Sequence, residues 1–110
     1  MKLVTLEAAK LYLRVDSADE DGVIQNLLSA AGKLCADVAR LSAGQWADVD
    51  SDTEESEFYS REELGAVRDV MRVSILYALG YLYEHREEAD HHALVLTLRS
   101  LLCAVREGVI

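Results

Sequence analysis

The chain has 110 residues, no proline, two cysteines and a net charge of −9. This length supports one small domain with a single core, and the lack of proline beside abundant Ala and Leu favours helix over sheet. The acidity excludes a groove built to neutralise nucleic-acid phosphates, which needs clustered Lys and Arg. The longest uncharged run is too short to cross a bilayer and the N-terminus lacks a signal-peptide pattern, so the expectation is synthesis in a cytoplasm and no membrane partner.

The first predicted element runs from Thr5 to about Arg14. Thr5 is placed to cap it, Glu7 sits where the helix dipole favours a negative charge, and Leu6, Ala9 and Leu13 give a narrow apolar stripe. Three turns are marginal alone, so this helix must dock on another element. After a break at Val15, Asp16 and Ser17, a capping box of Ser17 with Glu20 is expected to start a helix over 19–41. Val23, Leu27, Ala31, Leu34, Val38 and Leu41 are its predicted buried stripe. Ser29, Ala30, Gly32, Cys35, Ala36 and Ala39 make its middle slim enough for another backbone to approach closely.

Residues 42–59 carry Asp48, Asp50, Asp52, Glu54, Glu55 and Glu57 with no apolar period, which predicts a mobile acidic loop. A calcium-loop reading fails, because the required glycine and glutamate positions hold Thr53 and Tyr59. Trp46 and Phe58 within it are either tucked back on the bundle or free for a partner.

The core element is the predicted helix over 60–87. A capping box of Ser60 with Glu63 starts it, and Leu64, Val67, Met71, Ile75, Ala78 and Leu82 make one apolar stripe. Val70, Val73, Tyr77 and Tyr81 make a second on an adjoining face, so the helix needs two sets of neighbours. Asp90 is then the expected cap of a last helix from His91 to about Glu107, with Leu94, Leu98, Leu101 and Val105 on one stripe and Val95, Leu102 and Cys103 beside it. Gly108 is placed to end that helix, leaving Val109 and Ile110 as an apolar tail. The fold expected is all-α: one domain over residues 1–110, a small bundle of about four helices, two long and antiparallel with shorter N- and C-terminal ones.

Little here points to catalysis. Cys35 and Cys103 read as reduced core thiols, and His85, His91 and His92 have no helical ligand spacing, so no metal, cofactor or catalytic residue is expected. An all-α magnesium-dependent nucleoside triphosphate pyrophosphohydrolase would need paired carboxylates on facing helices. Glu54 with Glu57 and Glu84 with Glu87 have that spacing, but the first pair falls in the predicted loop. A small monomeric helical adaptor or regulator is a further alternative.

The opening residues 3–31, with a short helix, the run Leu13, Arg14, Val15, Asp16 and an acidic start to the long second helix, resemble the head-tail connector (adaptor) proteins of tailed bacteriophages. The long apolar helix closing on Tyr83, Glu84, His85, Arg86 and Glu87 is similar to that family's signature, and residues 96–107 are similar to its C-terminal end. Members often carry a proline ahead of the third helix, and this chain has none. The resemblance implies a virion protein, not an enzyme, forming a homo-oligomeric ring, twelvefold in the virion, at the junction of capsid and tail. Its implied partners are further copies of itself, the portal protein and a stopper or tail-completion protein, with DNA passing through unbound. It also favours Arg86 as a clamp at a helix end or subunit boundary beside Tyr83. Val109 and Ile110 are expected to dock on the portal.

Overall fold

A computed structural model describes residues 1–87 and 90–106. It is all-helical, with five α-helices, one turn of 3-10 helix and, among the described residues, no strand. Thr5 caps α1, Leu6–Leu13, its Oγ1 accepting the Ala8 N–H at 3.1 Å. Arg14 ends the helix in the left-handed conformation (φ 59°), its N–H returning to the Leu11 carbonyl at 3.2 Å. The next helix, α2, is Asp21–Val38. The expected capping box with Ser17 is absent: Glu20 occupies the N-cap, and its carboxylate is drawn off to Tyr83 and Arg86 instead.

The buried face of α2 is Ile24, Leu28, Ala31, Gly32, Cys35 and Ala36, one step round from the predicted stripe. Val23 is exposed, and Leu27, Leu34 and Val38 are half-buried at the margin of the core. Two apolar stripes lie side by side here, and close packing selects the one whose Ala31, Cys35 and nearby Ala39 let a neighbouring backbone come near. That neighbour is α4, Arg61–Glu84, and the α2–α4 contact is the most extensive in the fold. The two run antiparallel, since Glu20 at the start of α2 meets Tyr83 at the end of α4.

The start of α4 is as the sequence predicts. The Ser60 hydroxyl accepts the Glu63 N–H at 3.1 Å, and the Glu63 carboxylate accepts the Ser60 N–H at 2.9 Å. Leu64, Val67, Met71, Ile75 and Ala78 are buried as expected. Leu79 replaces Leu82, which is half-buried, and the helix ends at Glu84 rather than Glu87.

Residues 42–59 correct the prediction of a structureless loop. They include α3, Ala43–Val49, opened by a capping box in which Ser42 and Gln45 exchange hydrogen bonds of 2.8 and 3.1 Å. Three tethers fix the remainder of the segment. The Asp50 carboxylate accepts the N–H groups of Lys2 and Leu3 at 2.9 and 2.7 Å. Arg68, from α4, donates to the carbonyls of Val49, Asp48 and Thr53 at 3.1, 2.8 and 2.9 Å. Ser56 donates to Asp48 at 2.6 Å. Asp48 and Asp50 are thus spent on internal hydrogen bonds. Trp46 tucks back and, with Met1, packs over Gly32 of α2. Phe58 lies over Gly44 and stays partly exposed.

The last helix, α5, is His92–Leu101, followed by a 3-10 turn at Cys103–Val105, so it is shorter than predicted. The N-cap is His91 rather than the expected Asp90; Asp90 stands one residue earlier and its carboxylate accepts the His92 N–H at 2.9 Å. Leu94, Leu98 and Leu102, spaced by four, are buried, which leaves Leu101 outside that stripe and exposed; Cys103 is exposed at the start of the 3-10 turn, whose tighter winding shifts the angular phase of its side chains. Cys103 is therefore a surface thiol. Cys35 is a core thiol, its pKa pushed up to about 12 by burial, and so is held in its unreactive protonated form. Glu88, Ala89, Gly108, Val109 and Ile110 lie outside the described residues.

Arg68→Ala should cost about 2 kcal/mol in chemical denaturation, since it leaves three carbonyls without their charged donor. It should also speed amide exchange over 48–56 before it affects α2. Unchanged exchange there would mean the segment is held by something other than Arg68.

Candidate functional site: an open helix face and a corner clasp

Besides α3, anchored by Arg68, three neighbours pack along α4. It faces α2 with its core stripe, α1 along one flank and α5 along the other. The flank positions are given by contacts: Tyr12 of α1 meets Gly80, and His91, just before α5, meets Tyr81 edge-on with ring centroids 6.0 Å apart. At Gly80 an added Cβ would lie 3.2 Å from the Tyr12 ring, so glycine is what allows this close crossing. The fourth side of α4 has no cover in the monomer. It carries Val70, Val73 and Tyr77 of the second predicted apolar stripe, with Val73 61% and Tyr77 40% exposed. Tyr81 of that stripe is turned toward the α5 flank and half-buried.

Two shallow clefts lie along this strip. One, of about 330 Å³, is lined by Asp69, Val70, Val73, Ser74 and Leu101. The other, of about 600 Å³, lies at the far end of α4 among Tyr12, Arg14, Tyr77, Gly80 and Glu84. Leu11, next to Tyr12 on α1, is 81% exposed. A run of apolar surface bordered by polar groups is the signature of an interaction site rather than of a lone surface leucine.

At the end of α4 sits the clasp. Tyr83 donates its hydroxyl to one oxygen of Glu20, and Arg86 donates to the other at 3.3 Å. The Arg86 guanidinium also lies over the Tyr83 ring, 4.9 Å from its centroid. Both predicted partner residues on the helix corner, Tyr83 and Arg86, therefore converge on one carboxylate. In the sequence Arg86 stands among Glu84, Glu87 and Glu88. Its partner is instead Glu20, 66 positions away in the chain, whose sequence context is that of a cap. The hydrogen bond from Tyr83, and then that from Arg86, holds the Glu20 carboxyl below its ordinary value. The same bond to Glu20 raises the Tyr83 phenol above its own. Beside the clasp, His85 stacks on Tyr81 at 4.1 Å, its Nδ1 2.9 Å from the Tyr81 carbonyl. The corner is thus an aromatic and ionic knot.

Other sequence candidates are not brought together. Glu54 pairs with Arg61 at 2.9 Å in the first turn of α4, whereas Glu84 lies in its last turn, roughly 35 Å along the axis. The two paired-carboxylate motifs therefore do not face each other. The predicted docking residues Val109 and Ile110 lie outside the described residues. Comparison with protein-family models, with curated proteins and with solved structures finds no match to this chain.

The pKa directions set a pH window for the clasp. A carboxyl with a lowered folded value contributes stability above its unfolded value, and loses it as pH falls through the folded one. A phenol with a raised value contributes below its unfolded value and loses it as pH rises through the folded one. The clasp should be whole across neutral pH and weaken at both extremes. Glu20→Gln should flatten the acid limb of a plot of melting temperature against pH, and Tyr83→Phe the alkaline limb. Wild-type-shaped limbs in both variants would show that the clasp has no energetic role.

Proposed function

We propose that this chain is a structural connector, assembling with copies of itself into a ring at a portal vertex, joining capsid to tail and continuing the DNA channel. The observation that carries this reading is the open strip of α4. The helix that forms the centre of the core also presents Val73 and Tyr77 outward beside a half-buried Val70, and the finished fold leaves Val73 and Tyr77 substantially in solvent. A small protein that keeps such a face on its most central element is built to be completed by another chain.

Two further features support it. The Tyr83, Glu84, His85, Arg86 and Glu87 corner, on which the family resemblance rests, is here a locked junction between α2 and α4, fit to hold a subunit boundary in fixed geometry. The net charge of −9 would let DNA pass without adhesion. The pyrophosphohydrolase alternative is disfavoured by the separation of its carboxylate pairs along α4. A monomeric adaptor differs from a connector in mass.

Mass in solution, together with native electron microscopy, tests the reading. Rings of the wild type are expected, and Val73→Asp should give folded monomers of unchanged helicity. A wild type that stays monomeric at every concentration, and also when mixed with portal-containing heads, would overturn the connector function.

A further inference from the structure

Trp46 and Tyr59 of the 42–59 segment are drawn onto the core, whereas Phe58 stays 46% exposed. It is not a loose side chain. Its backbone N–H donates to the Ser56 hydroxyl at 3.0 Å, and Ser56 is in turn tied to Asp48. One side of the ring rests over Gly44, where an added Cβ would stand 2.9 Å from it. An aromatic ring fixed on an ordered segment and left half in solvent has the form of a contact anchor. Glu55 and Glu57 beside it are exposed, and among the described residues neither is in an ion pair. At the other end of α4 lies the cleft of about 600 Å³, with Tyr12 and Tyr77 exposed beside Gly80. Arg14 and Glu84 line the same cleft without pairing with each other, and among the described residues the Arg14 guanidinium has no acidic partner. The neighbouring Arg86 is already committed to Glu20, and His85 turns its Nδ1 to the Tyr81 carbonyl.

We infer that the cleft at the end of α4 receives Phe58 of a second copy, its ring set against Tyr12 and Tyr77 and its neighbour Glu57 against Arg14. Three observations choose this occupant. The match is aromatic on both sides, and aromatic pairs gain more than the area they bury. The unpaired groups are complementary, a carboxylate next to the anchor and a guanidinium in the cleft. Glu84 makes that match directional, because it repels an approach that brings Glu57 to its own side and leaves the side of Arg14. Finally, anchor and cleft cannot meet within one chain: Phe58 stands ahead of the Ser60 cap, and Tyr77 lies roughly 25 Å further along the same helix. The contact therefore joins unlike ends of α4 in different copies, as a head-to-tail assembly requires. The inference rests on the connector reading, in which the strip bearing Tyr77 is an interface between copies, and names the residue that fills it.

The test is complementation between two broken copies of the full chain, read by sedimentation velocity. Phe58→Asp removes the anchor and keeps the cleft; Tyr77→Asp spoils the cleft and keeps the anchor. Each variant should keep its helicity and associate about thirtyfold more weakly than the wild type, the loss expected of a central aromatic anchor. Mixed one to one, they should form a dimer and go no further, because only one intact contact can form between them. Arg14→Glu and Glu57→Arg should each weaken association about fivefold, and the two combined in one chain should restore most of it. A Phe58→Asp variant that associates like the wild type, a mixture that stays monomeric, or a charge exchange that restores nothing would overturn the inference. So would a wild type that never associates. Rings that survive Phe58→Asp would leave the connector standing and remove this inference. Dimers that depend on Phe58 and Tyr77, yet neither close into rings nor join portal-containing heads, would do the reverse.

Discussion

Everything in the fold is referred to the antiparallel contact of α2 with α4. It closes because α2 presents Ala31, Cys35 and Ala39 where a larger side chain would hold the axes apart, while α4 supplies bulk through Met71, Ile75 and Leu79. Small against large at one interface gives interior packing density with few voids. The other helices are arranged around that pair: α1 and α5 along the flanks of α4, and α3 anchored through Arg68. Glu20 links the start of α2 to the end of α4, so the two core helices are held at an end as well as along their length.

Local signals are the most legible part of the sequence. The Thr5 cap and the Ser60 and Glu63 capping box are formed as predicted, because each depends on residues three apart; at α5 the cap falls on His91, one residue after the expected Asp90. Ser42 with Gln45 is a signal of the same kind and discloses α3, but the acidic composition around it masks it. The rest of 42–59 is not legible locally: Arg68 lies 15 to 20 positions from its carbonyl partners there, and Asp50 reaches the N-terminal amides 47 and 48 positions away. The buried side of α2 lies one step from the predicted side for a different reason. A helix rich in alanine has two adjacent stripes of similar hydropathy, and only its neighbour decides which one closes. Cys103 departs from its predicted core position because helical periodicity does not anticipate a 3-10 turn.

The candidate site divides in the same way. Tyr83 and Arg86 stand out in the chain, yet their shared partner Glu20 is 63 and 66 positions distant and looks like a cap, a role that acidic residues at helix starts commonly fill. The second stripe of Val70, Val73 and Tyr77 is legible as apolar, with no indication of whether α1 and α5 would cover it. They flank it without meeting across it, since Tyr12 stops at Gly80 and Leu101 borders the cleft beside Val73.

Arg68 and Arg72 connect α4 to the segments packed around its first half. Folding turns the Arg68 guanidinium onto backbone carbonyls of the 48–53 segment, while Arg72 stays exposed and bridges the Leu3 carbonyl and the Asp69 carboxylate. That arrangement orders a stretch whose composition argues against order, and it ties the segment to the central helix. A lysine at position 68 would not serve this purpose well, because a single ammonium lacks the planar fork that reaches three carbonyls at once. The order of the acidic segment is thus a consequence of the central helix: a stretch that looks structureless in the sequence is held by one guanidinium whose three partners lie 15 to 20 positions away.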